Sequence, residues 1–274
     1  MSFKPLLQKI DKNIRRITWF ARCVPDFVVA GVQKGGTTTL FAYLNKHPQV
    51  HMPARKEIHY YDRNFHKGAS WYRSHFPLKS SVPKGHKVGE ATPCYLYFPH
   101  AAKHMHMMNP DTKIIVVLRN PIERAISHYF HNRRKHKEDL DMPAAFLQEE
   151  RRIARRYKAL LQDEHATDWE VAHHGYKARG VYHRQLRRFR SYFPMSQLLI
   201  LSTDLLDKDP LGAMTKVYEF IGVDPSLGTT QILRKNVGTN KEPVPPEVCE
   251  YLRRFFQPAH QAFVNQYGPV YSFP

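Results

Sequence analysis

The chain has 274 residues, 42% of them hydrophobic and 24% charged, a make-up that excludes a disordered tail, a collagen and a small disulfide scaffold. Its 42 Lys and Arg against 24 Asp and Glu leave a formal net charge of +18. Such a surface attracts polyanions: nucleic acid, anionic lipid, or an anionic cofactor and substrate.

Cys23, Cys94 and Cys249 lie far apart with no CxxC pair, which argues for a reducing compartment and against a cysteine zinc site. The opening MSFKPLLQKIDKNIRRITWF carries charges every few residues and has no apolar h-region, unlike a signal peptide. No apolar run approaches the ~18 residues of a membrane span. The expectation is a soluble, cytoplasmic protein.

Residues 1–24 read as a basic lead-in helix, with Leu6, Leu7, Ile10, Ile14 and Ile17 at helical spacing. Packing on the following domain, residues 25–274, is preferred over a membrane-surface anchor. DFVVAGV at 26–32 predicts a buried parallel strand, and LFAYLNKHP a helix stopped by Pro48. KEIHYYD at 56–62 is irregular or a short helix, GASWYRSHF a surface helix, and HKVGEATP a second strand. A helix ending at Asn109-Pro110 precedes KIIVVLR at 113–119, the clearest buried strand. Asn120-Pro121 opens a helix to about His136. Met142 to Glu164 reads as one long charged helix, an exposed flap. An amphipathic segment at 180–193 precedes the strand QLLILSTDLL and the helix PLGAMTKVYEFIGV. Residues 224–246 form a long loop, and one or two helices close the chain. Strands alternating with helices imply a single α/β domain with a central parallel sheet.

The strongest chemical signal is Gly31-Val32-Gln33-Lys34-Gly35-Gly36-Thr37-Thr38-Thr39, between a strand and a helix. Glycines let backbone N–H groups converge on phosphate oxygens, and the helix N-terminus adds positive potential. Lys34 supplies a full charge and the threonines supply hydroxyl donors. Gly31 and Gly36 have Walker spacing, but Thr37 stands where a Walker lysine would be. A P-loop kinase or ATPase is therefore disfavoured. The second signal is Arg119 at a strand end with Ser127 eight residues on. Carboxyl ends of parallel strands bind ligands, so the pair could clamp a second phosphate.

GVQKGGTTTL resembles the loop that holds the 5′-phosphosulfate of PAPS (3′-phosphoadenosine 5′-phosphosulfate) in sulfotransferases. VVLRNPIERAISHY resembles their 3′-phosphate motif, with Arg119 and Ser127 in the matching places. KEIHYYD, GASWYRSHFP, GEATPCYLY and RGVYHRQLRRFRSYFP are similar to successive segments of the carbohydrate, heparan-sulfate-type branch. The resemblance implies the P-loop NTPase-like sulfotransferase fold and PAPS as donor, with PAP as product. Lys34 and Gly35 to Thr39 would hold the 5′ end, Arg119 and Ser127 the 3′-phosphate, with Tyr182 also at the cofactor. Glu57 would be the base on the acceptor hydroxyl or amine, His59 a second catalytic or orienting residue, and Lys34 the cation on the bridging oxygen. Lys235, Thr239, Asn240 and Lys241 fall where the family closes a basic loop over the 3′-phosphate. Glu90-Ala91-Thr92-Pro93 departs from the family's E-K-T-P; the missing lysine points to an acceptor other than a heparan-like one. The absence of a signal or anchor resembles a soluble bacterial or viral member.

Other clusters read blandly. His100, His104 and His106 lack an acidic partner at zinc spacing, so no metal is expected. His128, His131, His173 and His174 read as helix-surface or pocket-rim residues. Arg151, Arg152, Arg155, Arg156 and Lys158 form a basic stripe, either a solvated face or a contact for an anionic acceptor. No nucleic-acid signature accompanies the charge. The competing readings are a nucleotide-dependent phosphotransferase and a non-enzymatic polyanion-binding protein.

Overall fold

A computed structural model describes residues 13–233 and 242–274. Five strands, β1 (Phe27–Gly31), β2 (Val50–His51), β3 (Lys87–Ala91), β4 (Lys113–Leu118) and β5 (Leu198–Ser202), form one sheet in the order β2-β3-β1-β4-β5. Every pairing is parallel. β1 is buried along its whole length, and its unbroken apolar run is what a strand covered on both faces requires.

The period-two alternation of strand side chains divides the core. Val28, Ala30, Ile114, Val116 and Leu118 face one layer, with Tyr72, Tyr95 and Phe189. Phe27, Val29, Ile115 and Val117 face the other, with Leu40, Tyr43, Leu44 and Val217. Gly89 is required by this packing: a Cβ there would lie 2.1 Å from the Phe27 ring.

The helices that position the site are α1 (Thr37–Lys46), α2 (Gly68–Arg73), α3 (Ala101–Met108) and α4 (Pro121–Arg134). α1 leaves β1 through the glycine loop and ends at His47, before Pro48. α4 begins as its sequence predicts: the Asn120 Oδ1 accepts from the Ile122 N–H (2.9 Å), with Pro121 in the first turn.

Three expectations are corrected. Residues 142–164 are not an exposed flap but two helices, Met142–Leu147 and Glu149–Gln162, that bury Met142, Phe146, Ile153 and Leu160. Most of their charges occupy the outer face and hide a narrow apolar stripe, while Glu149 is buried and accepts from the Lys177 and Ala178 N–H groups. His128 and His174 are fully buried rather than at a surface or rim. In the lead-in, residues 13–17 are helical, but Ile14 and Ile17 are exposed instead of packed on the domain. Leu6, Leu7 and Ile10 lie outside the described residues. The chain closes in a single helix, Pro246–Tyr267, with Pro258 inside it. No described helix is long and apolar enough to cross a membrane.

Candidate active site

The carboxyl ends of β1, β3 and β4 are neighbours in the sheet, so the segments leaving them meet at one edge. The β1 segment is the glycine loop. Gly35 is packed so closely that a Cβ would lie 2.5 Å from the Val117 carbonyl oxygen and 2.7 Å from Val32 Cγ2. Gly36 has φ 89°, a left-handed value that glycine adopts freely, and it offers α1 no side-chain cap. The first turn of α1, Thr37 to Thr39, thus begins at a bare backbone N-terminus, the geometry of an anion cradle.

Lys34 sits in this loop at φ 73°. Partial burial depresses its ammonium pKa, and repulsion from Arg134, Arg119 and Arg124 depresses it further. Among the described residues the ammonium has no ion-pair partner. Arg119 reaches back to the loop, its Nη1 donating to the Lys34 carbonyl at 3.4 Å. Its Nε and Nη2 also pair with Glu123 Oε2 at 3.0 and 2.9 Å. That carboxylate is exposed, and such surface pairs contribute little. Ser127 is half-buried on the same helix, α4. Tyr182 is buried, and its hydroxyl donates to the Arg119 carbonyl at 2.8 Å, so it fixes the backbone of Arg119. Lys235, Thr239, Asn240 and Lys241 lie outside the described residues.

Arg124, which sequence reasoning did not single out, is fully buried one turn into α4. Burial lowers its pKa to about 10, and its Nε and Nη1 have no hydrogen-bond partner. Four cations thus crowd one place with too little negative charge, an arrangement that a bound polyanion would relieve.

The β3 side carries Glu57, His59 and Asp62. Glu57 Oε1 accepts from Lys56 Nζ at 2.8 Å, and Oε2 lies 3.5 Å from His59 Nε2. His59 Nδ1 lies 2.8 Å from Asp62 Oδ2. Burial opposes both charges, but the pairing wins: the imidazole is raised to about 10 and the Glu57 carboxyl lowered to about 2. His59 is therefore a cation at neutral pH, held between two carboxylates. Asp62, spaced three residues from His59, is the orienting member. Glu57 and His59 have φ 64° and 55°. Three of the four described non-glycine residues with positive φ are thus Lys34, Glu57 and His59, and such strain concentrates at functional sites. The two halves of the site meet: the Glu57 charge is close enough to raise the Lys34 pKa, against the arginines that lower it.

Cys94 Sγ lies within 4.8 Å of His59 and Asp62 ligand atoms. Arg179 Nη1 and Arg63 Nη2 face the same sulfur at 3.6 and 4.0 Å, which opposes a cation there. His100, His104 and His106 do not converge as a ligand set. His100 bonds the Leu160 carbonyl, His104 stacks on Phe65, and His106 lies against Phe193. In the basic stripe Arg152 pairs with Glu138 and Arg156 with Asp168, while Arg151, Arg155 and Lys158 are exposed.

The sequence model of the sulfotransferase domain matches residues 24–242. The chain is 31% identical over 267 residues to the Mus musculus heparan sulfate glucosamine 3-O-sulfotransferase 3B1, covering 89% of this chain and 64% of that protein. It therefore spans just under two thirds of that relative's length. It is also 31% identical over 269 residues to the Homo sapiens heparan sulfate glucosamine 3-O-sulfotransferase 6, covering 90% and 73%. The solved sulfotransferase from Alicyclobacillus acidocaldarius matches with a TM-score of 0.69 and 26% identity, over 89% of this chain and 95% of that one. With the family's domain matched over most of its length, on a parallel sheet with a glycine cradle at its carboxyl edge, this chain belongs to the sulfotransferase family.

Proposed function

We propose that the chain transfers the sulfuryl group of PAPS to a hydroxyl or amine of a carbohydrate acceptor, by direct in-line displacement with Glu57 as base. The observation that carries this reading is the meeting of an anion cradle with a carboxylate: the glycine loop leaves β1 beside the end of β3, where the Glu57 N–H is bonded to the Ala91 carbonyl. PAPS would supply an activated sulfuryl group on a phosphate leaving group. The loop from Lys34 to Thr39 suits its 5′ end, because the Gly35 packing and the bare α1 N-terminus leave backbone N–H groups for oxygens. Arg119, with Ser127, suits the 3′-phosphate. The crowded cations Lys34, Arg119 and Arg124 fit a donor of several negative charges. The acceptor class rests on the relatives, which are named for glucosamine in heparan sulfate.

Each residue then has a distinct task. Lys34 places positive charge where the bridging oxygen becomes an anion as its bond to sulfur breaks. Protonated His59 holds the Glu57 carboxylate in place, and Asp62 holds His59. A carboxylate near 2 is a weak base. It suffices where the acceptor proton leaves late, once the forming bond to sulfur has made that proton acidic. An acceptor that displaces Lys56 from Glu57 Oε1 would strengthen the base further.

The test is Glu57→Gln. Turnover of PAPS with a glycan acceptor that the wild type sulfates is expected to vanish while PAP affinity stays within about twofold, since the amide keeps the shape and loses the base. Loss of PAP binding along with turnover would make Glu57 structural. A thermal shift with Mg-ATP but none with PAP would replace sulfuryl with phosphoryl transfer.

A further inference from the structure

The turn that carries Glu57 and His59 is strained, and something must hold it. A non-glycine residue in the left-handed region is strained, and this turn contains two. Its amides are anchored to the chain leaving β3. The Glu57 N–H donates to the Ala91 carbonyl at 3.0 Å. The Tyr60 N–H donates to the Tyr95 hydroxyl at 2.9 Å, and the His59 N–H reaches the Thr92 hydroxyl at 3.5 Å. Both hydroxyls then give their own protons to one carboxylate. Tyr95 donates to Glu90 Oε1 at 3.0 Å and Thr92 to Glu90 Oε2 at 3.1 Å.

We propose that Glu90 is the positioning residue of this turn: through the Thr92 and Tyr95 hydroxyls it fixes the His59 and Tyr60 amides, and so sets where Glu57 and His59 point. The catalytic part of this role rests on the reading of Glu57 as the base. Glu90 is completely buried at the end of β3, where its carboxylate accepts from three hydroxyls. An ionised carboxylate differs from every neutral substitute in one respect: it only accepts. Each hydroxyl, having a single proton, must spend it on Glu90 and turn its lone pairs to the turn. A protonated or amide side chain would donate on one side, and one hydroxyl could reverse. The groups facing Glu90 are Tyr72 from α2, Thr92 and Tyr95 from the segment after β3, and Tyr61 and Asp62 from beyond His59. Burial lifts its carboxyl to about 7, against the lowering by the three hydroxyl bonds, so the all-acceptor arrangement belongs to the ionised form that prevails above about pH 7.

Tyr72 provides an internal control. Its hydroxyl donates to the same Glu90 Oε1 at 2.6 Å, and its ring stacks on Tyr60 at 4.3 Å. It gives the backbone of the turn no hydroxyl acceptor. The experiment compares Glu90→Gln, Tyr95→Phe and Tyr72→Phe by amide hydrogen exchange at His59 and Tyr60, and by the titration of the His59 ring. Tyr95→Phe is expected to speed exchange at the Tyr60 amide, and Glu90→Gln at both amides, about tenfold, and each to move the His59 titration toward its ordinary value. Tyr72→Phe is expected to change both little, whatever it does to overall stability. With a glycan acceptor that the wild type sulfates, the first two variants should lower kcat about 10- to 100-fold with PAP affinity unchanged. Unchanged exchange in Tyr95→Phe, or equal effects of Tyr72→Phe and Tyr95→Phe, would overturn the proposal; Tyr95→Phe serves alone if Glu90→Gln does not fold. Glu57→Gln separates the two claims. If it turns over normally, the base assignment fails while the exchange result stands. If it is dead while Glu90→Gln and Tyr95→Phe are fully active, only the positioning role fails.

Discussion

Lys34→Ala distinguishes a lysine that holds a ligand from one that holds the fold. In the folded chain this ammonium loses hydration and is repelled by Arg134, Arg119 and Arg124. Its removal takes an unfavourable charge out of the unliganded protein, so Tm without ligand should hold or rise. A charge-assisted contact to a phosphate oxygen contributes about 1.5–3 kcal/mol, which is about 10- to 150-fold in Kd. PAP at about 100 times its Kd stabilises the native state by about 2.7 kcal/mol. For a chain of this length that is about 5 °C, at roughly 2 °C per kcal/mol. After a tenfold loss of affinity the same PAP concentration contributes about 1.4 kcal/mol, or about 3 °C. After a hundredfold loss it contributes about 0.4 kcal/mol, under about 1 °C. Thermal denaturation with and without PAP reads both quantities, and calorimetry gives the Kd directly. A Tm that falls by several degrees without ligand, with the PAP shift intact, would refute the argument and make Lys34 a structural residue.

Three further outcomes follow from the geometry. Gly35→Ala places a methyl 2.5 Å from the Val117 carbonyl oxygen, a backbone atom that cannot yield without moving β4; thermal denaturation should show a loss of about 1–3 kcal/mol, and calorimetry weaker PAP binding. Tyr182→Phe removes the hydroxyl that holds the Arg119 carbonyl. It should cost about 1 kcal/mol in denaturant unfolding and weaken PAP without affecting the acceptor KM. For His59 the folded pKa of about 10 lies above the ordinary 6.5, so the charged ring stabilises the fold fully below 6.5 and loses that effect as pH rises through about 10. The Tm difference between wild type and His59→Gln should therefore be widest near pH 6 and close toward pH 10. A gap that widened with pH would contradict the Glu57–His59–Asp62 pairing.

Much of this architecture was legible in the chain because its signals are local. Phe27–Gly31 is an unbroken apolar run, the glycines of the loop follow at once, and Asn120-Pro121 caps its own helix. Lys34 and Arg119 could be singled out for similar reasons, and Glu57 through the resemblance that KEIHYYD carries. What escaped notice depends on distant partners. β2 has only Val50 and His51, and exists because β3 lies beside it. Arg124 passed unnoticed and His128 read as a surface or rim residue, because Tyr176, which lies against both, is distant in the chain. The left-handed backbone at Glu57 and His59 has no glycine to announce it. Glu90 looked like an ordinary strand residue, because Tyr72, Thr92 and Tyr95 converge on it only after folding.

The Thr203 hydroxyl, just past β5, lies 3.1 Å from both the Gly35 and Leu118 carbonyl oxygens. A residue from the last third of the chain thus buttresses the loop that is among the first parts to be made. β5 also pairs along its own whole length with β4. On the ribosome, the glycine loop, α1 and the Glu57 turn leave the exit tunnel long before the strand and hydroxyl that complete their setting. At roughly 5–20 residues per second, the nascent chain spends many seconds with its apolar strands synthesised but the sheet unfinished. Parallel pairings between remote segments are slow to form and exposed to aggregation meanwhile. The setting of the glycine loop is therefore completed late in synthesis, and a chain cut short before residue 203 would carry the whole glycine motif without the hydroxyl that buttresses it.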